Sequence, residues 1–257
     1  MDSIRQSPVS VLCIRPTAFD ACMAALQPFI AQCPAGSQLI VVTDDNRFNS
    51  GNVRVVHQIH PLTYGALLQT ALWSADTPLV LIVPGDESVA PKDIKEFFER
   101  IDGSDIVVGC RQIGQTPALV RAGDLLRRIM ARIFLGYSPA PRLGWSGWRG
   151  WPVRWLADHV FGVPLADPMC GVLLARREIF DRIPIQSAGP FAHVEIVAKA
   201  NHLGCLLDEV ALAGAADRPA PFAADAWRLL HWPDFGPPQV ACDFAKRTLA
   251  RELSQEM

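Results

Sequence analysis

The chain has 257 residues, half of them hydrophobic, enough to bury a sizeable core as one large domain or as a domain with an appendage. A formal net charge of -2 and a pI near 6.3 give no overall attraction to polyanions, so nucleic acid is not an expected partner. The seven cysteines lie scattered in mostly apolar runs without a C-x-x-C pair, which excludes a disulfide framework or a zinc knuckle and suits small buried side chains in a reducing compartment.

The opening stretch MDSIRQSPVSVLCI has an acid at position 2 and only a short apolar run, unlike a signal peptide. No run approaches the roughly 18 to 20 apolar residues that a spanning helix needs. The expectation is a soluble, cytoplasmic protein.

Through the first half, short apolar runs alternate with helical patterns. VSVLCI (Val9 to Ile14) and QLIVVT (Gln38 to Thr43) read as buried strands, and DACMAALQPFIAQ between them as a helix capped by Asp20. NVRVVHQI (Asn52 to Ile59) alternates as a third strand, GALLQTALWSA (Gly65 to Ala75) is helical, and PLVLIV is a fourth strand. PKDIKEFFERI begins a helix at Pro91 and leads to the strand SDIVVGC. Strand and helix in repeated alternation predict an α/β fold with a mostly parallel central sheet and helices on both faces.

Leu125 to Leu135 is an amphipathic helix, and the Gly, Pro, Trp and Arg that follow predict an insertion or lid over about 136–152. Its arginines and tryptophans, from Arg142 to Trp155, suit packing, a sugar face or a membrane interface. A helix follows through VRWLADHVFG. DPMCGVLLARREIFDRI (Asp167 to Ile183) holds a strand and a helix start, and HVEIVAKANHLGCLLDEVAL (His193 to Leu212) a helix that stops near Gly204 and a final strand. Residues 1–218 therefore form one domain. The tail 219–257, rich in Ala and Pro, shows no clear period and is expected to pack on the body or to be partly mobile.

In an open α/β sheet, ligands bind beyond the carboxyl ends of the strands. Acids cluster there: Asp44 and Asp45 after the second strand, Asp86 and Glu87 after the fourth. The bland alternative for each is a solvated turn, and for Asp167 before Pro168 a shaped loop. Glu195 has Lys199 four residues on and an ordinary salt-bridge explanation. His193, His202 and His231 show no metal-ligand spacing and read as structural or solvated.

Five segments, in order, resemble the family-2 glycosyltransferases, in particular the dolichyl-phosphate mannosyltransferase-like group, whose fold is the GT-A nucleotide-diphospho-sugar fold. IRPTAFDA (Ile14 to Ala21) is similar to the family's first-strand ending, with Asp20 at the usual Glu. LIVVTDDN (Leu39 to Asn46) resembles the ending with paired aspartates that hold the nucleoside. VLIVPGDESVAPKDI matches the stretch bearing the D-x-D motif, DIVVGCRQIG (Asp105 to Gly114) the strand that ends in Gly-Ser-Arg, and DPMCGVLLARREIF (Asp167 to Phe180) the D-P-T-S-G run. The helix around Glu195 fits the family's acid-bearing helix.

The resemblance implies a nucleotide-sugar donor held by Pro16, Thr17, Asp20, Asp44, Asp45 and Asp86, with Mg²⁺ or Mn²⁺ on Asp86 neutralising the departing diphosphate. It implies catalytic roles for Arg111, Asp167 and Glu195, Arg111 being suited to fork onto phosphate oxygens. The implied acceptor bears a phosphate or hydroxyl group, polyprenyl phosphate among the candidates, in which case the protein sits peripherally on a membrane. Oligomeric state is left open.

The chain departs from the pattern in places. Pro84 stands where D-x-D has its first aspartate, Cys110 replaces the serine before Arg111, and ADRPAPFAAD keeps Arg218 but not the rest of the family's acceptor segment. Pro84 is expected to be an exposed strand-end residue with room to become Asp. A catalytically reduced nucleotide- or partner-binding protein on the same fold is the second reading. A nucleotidyltransferase is third, disfavoured because no Gly-rich, Lys/Arg-bearing loop follows the first strand.

Overall fold

A computed structural model of the chain describes residues 7–16, 19–43, 53–57, 62–85, 91–111, 153, 156–163, 165–212 and 223–235. Within them the strands are β1 (Val9–Ile14), β2 (Gln38–Thr43), β3 (Arg54–His57), β4 (Leu79–Pro84), β5 (Ile106–Arg111), β6 (Leu173–Arg176) and β7 (Leu207–Leu212). The helices are α1 (Phe19–Ile30), α2 (Tyr64–Trp73), α3 (Pro91–Arg100), α4 (Arg177–Phe180), α5 (Ala192–His202) and α6 (Ala223–His231), and residues 153 and 156–159, within the expected helix VRWLADHVFG, are helical as well. No helix among the described residues is long and apolar enough to cross a membrane.

The strands form one sheet in the order β3-β2-β1-β4-β6-β5-β7. All neighbouring pairs are parallel except those of β6, which runs antiparallel to both β4 and β5. Every residue of β1, β4 and β5 is buried, as continuous apolar runs require when helices cover both faces. α3 buries Ile94 and Phe97 from one stripe while Lys95 and Glu99 stay outside. α5 is buried from Ala192 to Ala200 and ends at Gly204, whose φ of +79° a residue with a side chain would adopt only under strain.

The predicted strands and helices agree with the structure to within a few residues, with three differences. α1 starts at Phe19, so Asp20 lies inside its first turn rather than at the cap. α6 occupies part of the tail expected to lack a period; its inward residues, Ala226 and Leu229, are too few to set a clear pattern among exposed neighbours. β4 extends through Pro84, which is buried and in register with Ile14. Proline is tolerated there because the β6 ladder stops at Ile82. Since Gly85 N–H points to β1, donating to Ile14 O at 2.9 Å, the missing N–H of Pro84 faces the side where β6 has ended. The expectation of an exposed Pro84 is thereby corrected. The helix Leu125 to Leu135 and the 136–152 insertion lie outside the described residues.

Candidate functional site

The sheet's connectivity reverses between β1 and β4: from β1 the chain builds outward through β2 and β3, then returns to lay β4 on the other side of β1. At such a switch point the loops leave in opposite directions and open a crevice. The ends of β2, β1 and β4, at Thr43, Ile14 and Pro84, therefore stand side by side on one edge. The loop before antiparallel β6 reaches the same edge, as does the end of β5 at Arg111.

The β1 end is tightly set. Arg15 has a φ of 47°, a left-handed conformation uncommon for a residue with a side chain, and its N–H carries the β1–β2 ladder one residue past Ile14 by donating to Val42 O at 2.9 Å. Its Nη2 donates to Leu62 O at 2.6 Å, tying the strand end to the approach to α2. A Cβ on Gly85 would come within 2.1 Å of Pro16 Cα, so only glycine lets the ends of β1 and β4 approach this closely.

On the far side of β4, Pro84 packs on Gly171. A Cβ on Gly171 would lie 2.2 Å from Pro84 Cγ and 3.1 Å from His193 Nε2. His193, in the first turn of α5, is 2% exposed, and its Nε2 is 2.7 Å from the hydroxyl of Tyr64 at the start of α2. The adjoining Gly65 donates its N–H to Ala188 O at 3.0 Å.

Two of the residues implied as catalytic meet directly. Arg111 Nε and Nη2 donate to Asp167 Oδ2 and Oδ1 at 2.6 and 2.9 Å, with both side chains at most 3% exposed. The fork expected for phosphate is thus closed on a carboxylate, and a phosphate contact would have to use another edge of the guanidinium. Glu209 Oε1, on β7, accepts from the N–H groups of Ala166 and Asp167 at 2.6 and 3.3 Å, which holds the loop in place.

Glu195, fully buried, is also occupied. Its Oε1 and Oε2 accept from Gln186 and Ser187 N–H, each at 2.8 Å, and Lys199 Nζ lies 2.7 Å from Oε1. Lys199 donates to Pro184 O and Gln186 Oε1. The i,i+4 pair read from the sequence is present, and it clasps the loop 184–187.

Pro16 lies at the β1 end, and Asp20 in α1, while Thr17, Asp44, Asp45 and Asp86 lie outside the described residues. Among the described residues no three His, Cys, Asp or Glu side chains gather as metal ligands. Pro84 supplies none at the β4 end. Sequence reasoning passed over Arg15 and Tyr64 and read His193 as structural or solvated; Tyr64 and His193 meet across 129 positions, a separation at which no spacing signals contact.

No family model matches the chain, and no curated protein matches it. Solved structures do. Glucosyl-3-phosphoglycerate synthase from Mycobacterium tuberculosis, in complex with Mn²⁺, UDP-glucose and phosphoglyceric acid, superposes with a TM-score of 0.58 at 16% identity, over 86% of this chain and 76% of that one. The same enzyme with Mg²⁺ and UDP gives 0.57 at 15% identity, over 86% and 75%. A further structure, described as a mycobacterial protein, gives 0.54 at 16% identity, over 87% and 73%. The architecture shared with these proteins is the GT-A fold, as the resemblance implied.

Proposed function

We propose that this chain is a glycosyltransferase that moves a sugar from a nucleoside-diphosphate donor to a phosphate-bearing acceptor. The observation that carries the reading is the row of strand ends β2, β1 and β4 at the switch point of a GT-A fold, with Asp44, Asp45 and Asp86 next in the chain after two of them. The solved neighbours supply the chemistry by analogy: that synthase was crystallised with UDP-glucose, phosphoglyceric acid and Mn²⁺.

In this reading Asp44 and Asp45 accept hydrogen bonds from the base or ribose, and Pro16, Thr17 and Asp20 line the β1 side. Asp86 holds the divalent cation, which when bound neutralises charge on the departing diphosphate. The anomeric carbon exchanges its bond to the diphosphate oxygen for one to an acceptor oxygen, and the nucleoside diphosphate leaves. Arg111, oriented by Asp167, supports phosphate from the β5 side. Glu195 shapes the neighbouring loop 184–187 rather than contacting the sugar. The neighbours' acceptor is a small phosphorylated acid, and nothing among them supports polyprenyl phosphate or membrane contact.

The second reading, a catalytically reduced binding protein, rests on Pro84. Thermal melts with nucleoside diphosphates, with and without Mn²⁺, followed by a donor panel with phosphorylated acceptors, test both. A metal-dependent rise in Tm and sugar transfer are expected, because a ligand that binds only the folded state stabilises it. Binding without transfer across the panel favours the second reading, and absence of nucleotide binding overturns the first and leaves the second only as a partner-binding protein.

A further inference from the structure

The loop that leads into α5 is gripped from two sides. From within, the fully buried Glu195 accepts the N–H groups of Gln186 and Ser187, each at 2.8 Å, and Lys199 Nζ donates to Gln186 Oε1 at 3.0 Å. From outside, α6 and the residues just after it take the same loop. Asp225 Oδ1 and Oδ2 accept from the N–H groups of Ala188 and Gly189 at 3.3 and 3.1 Å, and Arg228 Nη1 donates to Gln186 O at 2.9 Å. Gln186 Nε2 donates to Trp232 O at 3.0 Å, and Asp234 N–H donates to Gln186 Oε1 at 2.9 Å. The outer grip is mostly solvent-facing and polar: Ala226 and Leu229 are the buried residues of α6, while Trp227, Leu230 and Trp232 are exposed. A segment with few buried apolar contacts and exposed hydrogen bonds belongs to the low-stability end of a fold and opens ahead of the core.

We propose that α6 is a releasable strap, latched through Asp225 and Gln186, whose opening loosens the loop 186–189 at the edge where β1 and β4 end. The loop rests directly on that edge. Ala188 O accepts from Gly65 N–H at 3.0 Å, and a Cβ on Gly65 would lie 1.8 Å from Ser187 O. The neighbouring Tyr64 bonds to His193, which covers Gly171 beside Pro84. With the strap closed, the loop is held on both sides. With it open, Glu195 still keeps Gln186 and Ser187, but Ala188 and Gly189 lose their carboxylate and the acceptor of Gly65 N–H is no longer fixed. Any ligand that binds the fixed edge more tightly than the loosened one must, by linkage, also close the strap. The device itself needs no ligand and stands apart from the sugar-transfer reading.

The test is amide hydrogen exchange, followed by NMR, in the ligand-free full chain as wild type, Asp225→Ala and Arg228→Ala. In wild type the amides of α6 are expected to exchange at least about a hundredfold faster than those of β1 and β4. Asp225→Ala, which removes two acceptors, is expected to speed exchange of α6 and of Gly65 about tenfold, and Arg228→Ala about threefold, while β1 and β4 stay within about twofold of wild type. Gly65 is the informative amide, because neither variant touches its bond to Ala188 O. Wild-type α6 amides as slow as those of β1 would overturn the inference by showing no local opening. Faster exchange in α6 with Gly65 unchanged would overturn it too, since the helix would then fray without reaching the edge. Equal acceleration of β1, β4 and α6 would mark a global loss of stability and has the same consequence. Arg228 is exposed and bonds to a backbone carbonyl, so Arg228→Ala decides alone if Asp225→Ala does not fold.

Discussion

Arg111, the last residue of β5, and Asp167, in the loop before β6, form a two-pronged ion pair with almost no exposure to solvent. Arg111 N–H also donates to Asp167 Oδ2, at 3.3 Å, so the carboxylate serves the backbone of one element and the side chain that element carries. A pair this deeply buried is costly to break from one side, because the survivor keeps its charge without water.

Asp167→Asn is therefore expected to lower stability by about 3–5 kcal/mol, with Arg111→Ala in the same range. Arg111→Lys keeps the charge but loses one prong, and is expected to fall between these and wild type. Urea unfolding monitored by circular dichroism measures all three, and a midpoint unchanged in Asp167→Asn would show that the pair contributes nothing.

The buried Glu195 and Lys199 allow structural and chemical roles to be separated. Glu195→Gln leaves the Lys199 ammonium without its carboxylate and is expected to destabilise by about 3–5 kcal/mol, whereas Glu195→Gln with Lys199→Met removes the stranded charge and recovers much of that loss. If the glutamate only shapes the loop, transfer activity returns with stability in the double variant. A stable double variant without activity would instead place Glu195 in the chemistry.

Restoring an acid at position 84 sets electrostatics against packing. Pro84→Asp adds a second carboxylate for a divalent cation, yet the site is buried beside Gly171 and His193. The expected outcome is a lower Tm without metal and a larger Mn²⁺-induced rise than wild type shows. Asp86→Ala is expected to abolish metal-dependent nucleotide binding. Calorimetry with Mn²⁺ and a nucleoside diphosphate checks both, and metal-dependent binding that survives Asp86→Ala sinks the assignment of the cation.

Gly85→Ala is expected to prevent stable folding or to displace the β1 and β4 ends, since the neighbouring atoms are backbone and cannot rotate aside. Gly204→Ala is the control: its surroundings are open, so only the left-handed conformation at φ +79° is penalised, by roughly 1–2 kcal/mol. Comparable stabilities for the two variants, read from thermal melts, would contradict the close approach at Gly85.

Burial pushes the Cys33 thiol up to about 11, and its Sγ lies 3.5 Å from Phe29 O. The folded state thus favours the protonated thiol. Its contribution to stability is complete below the ordinary value of 9.0 and is lost as pH rises from there through about 11. Cys33→Ala is expected to flatten the decline of Tm over that interval relative to wild type, and folded wild type to alkylate at Cys33 more slowly at pH 8 than the unfolded chain does. Identical pH profiles would show that the thiol does not titrate differently on folding.

Much of the architecture is written locally. The runs that became β1, β2, β4 and β5 are continuous and apolar because both faces of the sheet are covered, and Pro91 and Gly204 mark helix ends through their own backbone preferences. These are effects of near neighbours, so they are legible in a single sequence, and the acids that follow Thr43 and Gly85 could be placed at strand ends from it. What the residues do to one another could not. Whether Arg111 faces phosphate or Asp167, whether Glu195 is open or clasped by Gln186, Ser187 and Lys199, and whether Pro84 is exposed or packed on Gly171 depend on segments far apart in the chain. The order of the strands decides these matters, because it alone sets which loop ends share an edge and which charges lose their water together.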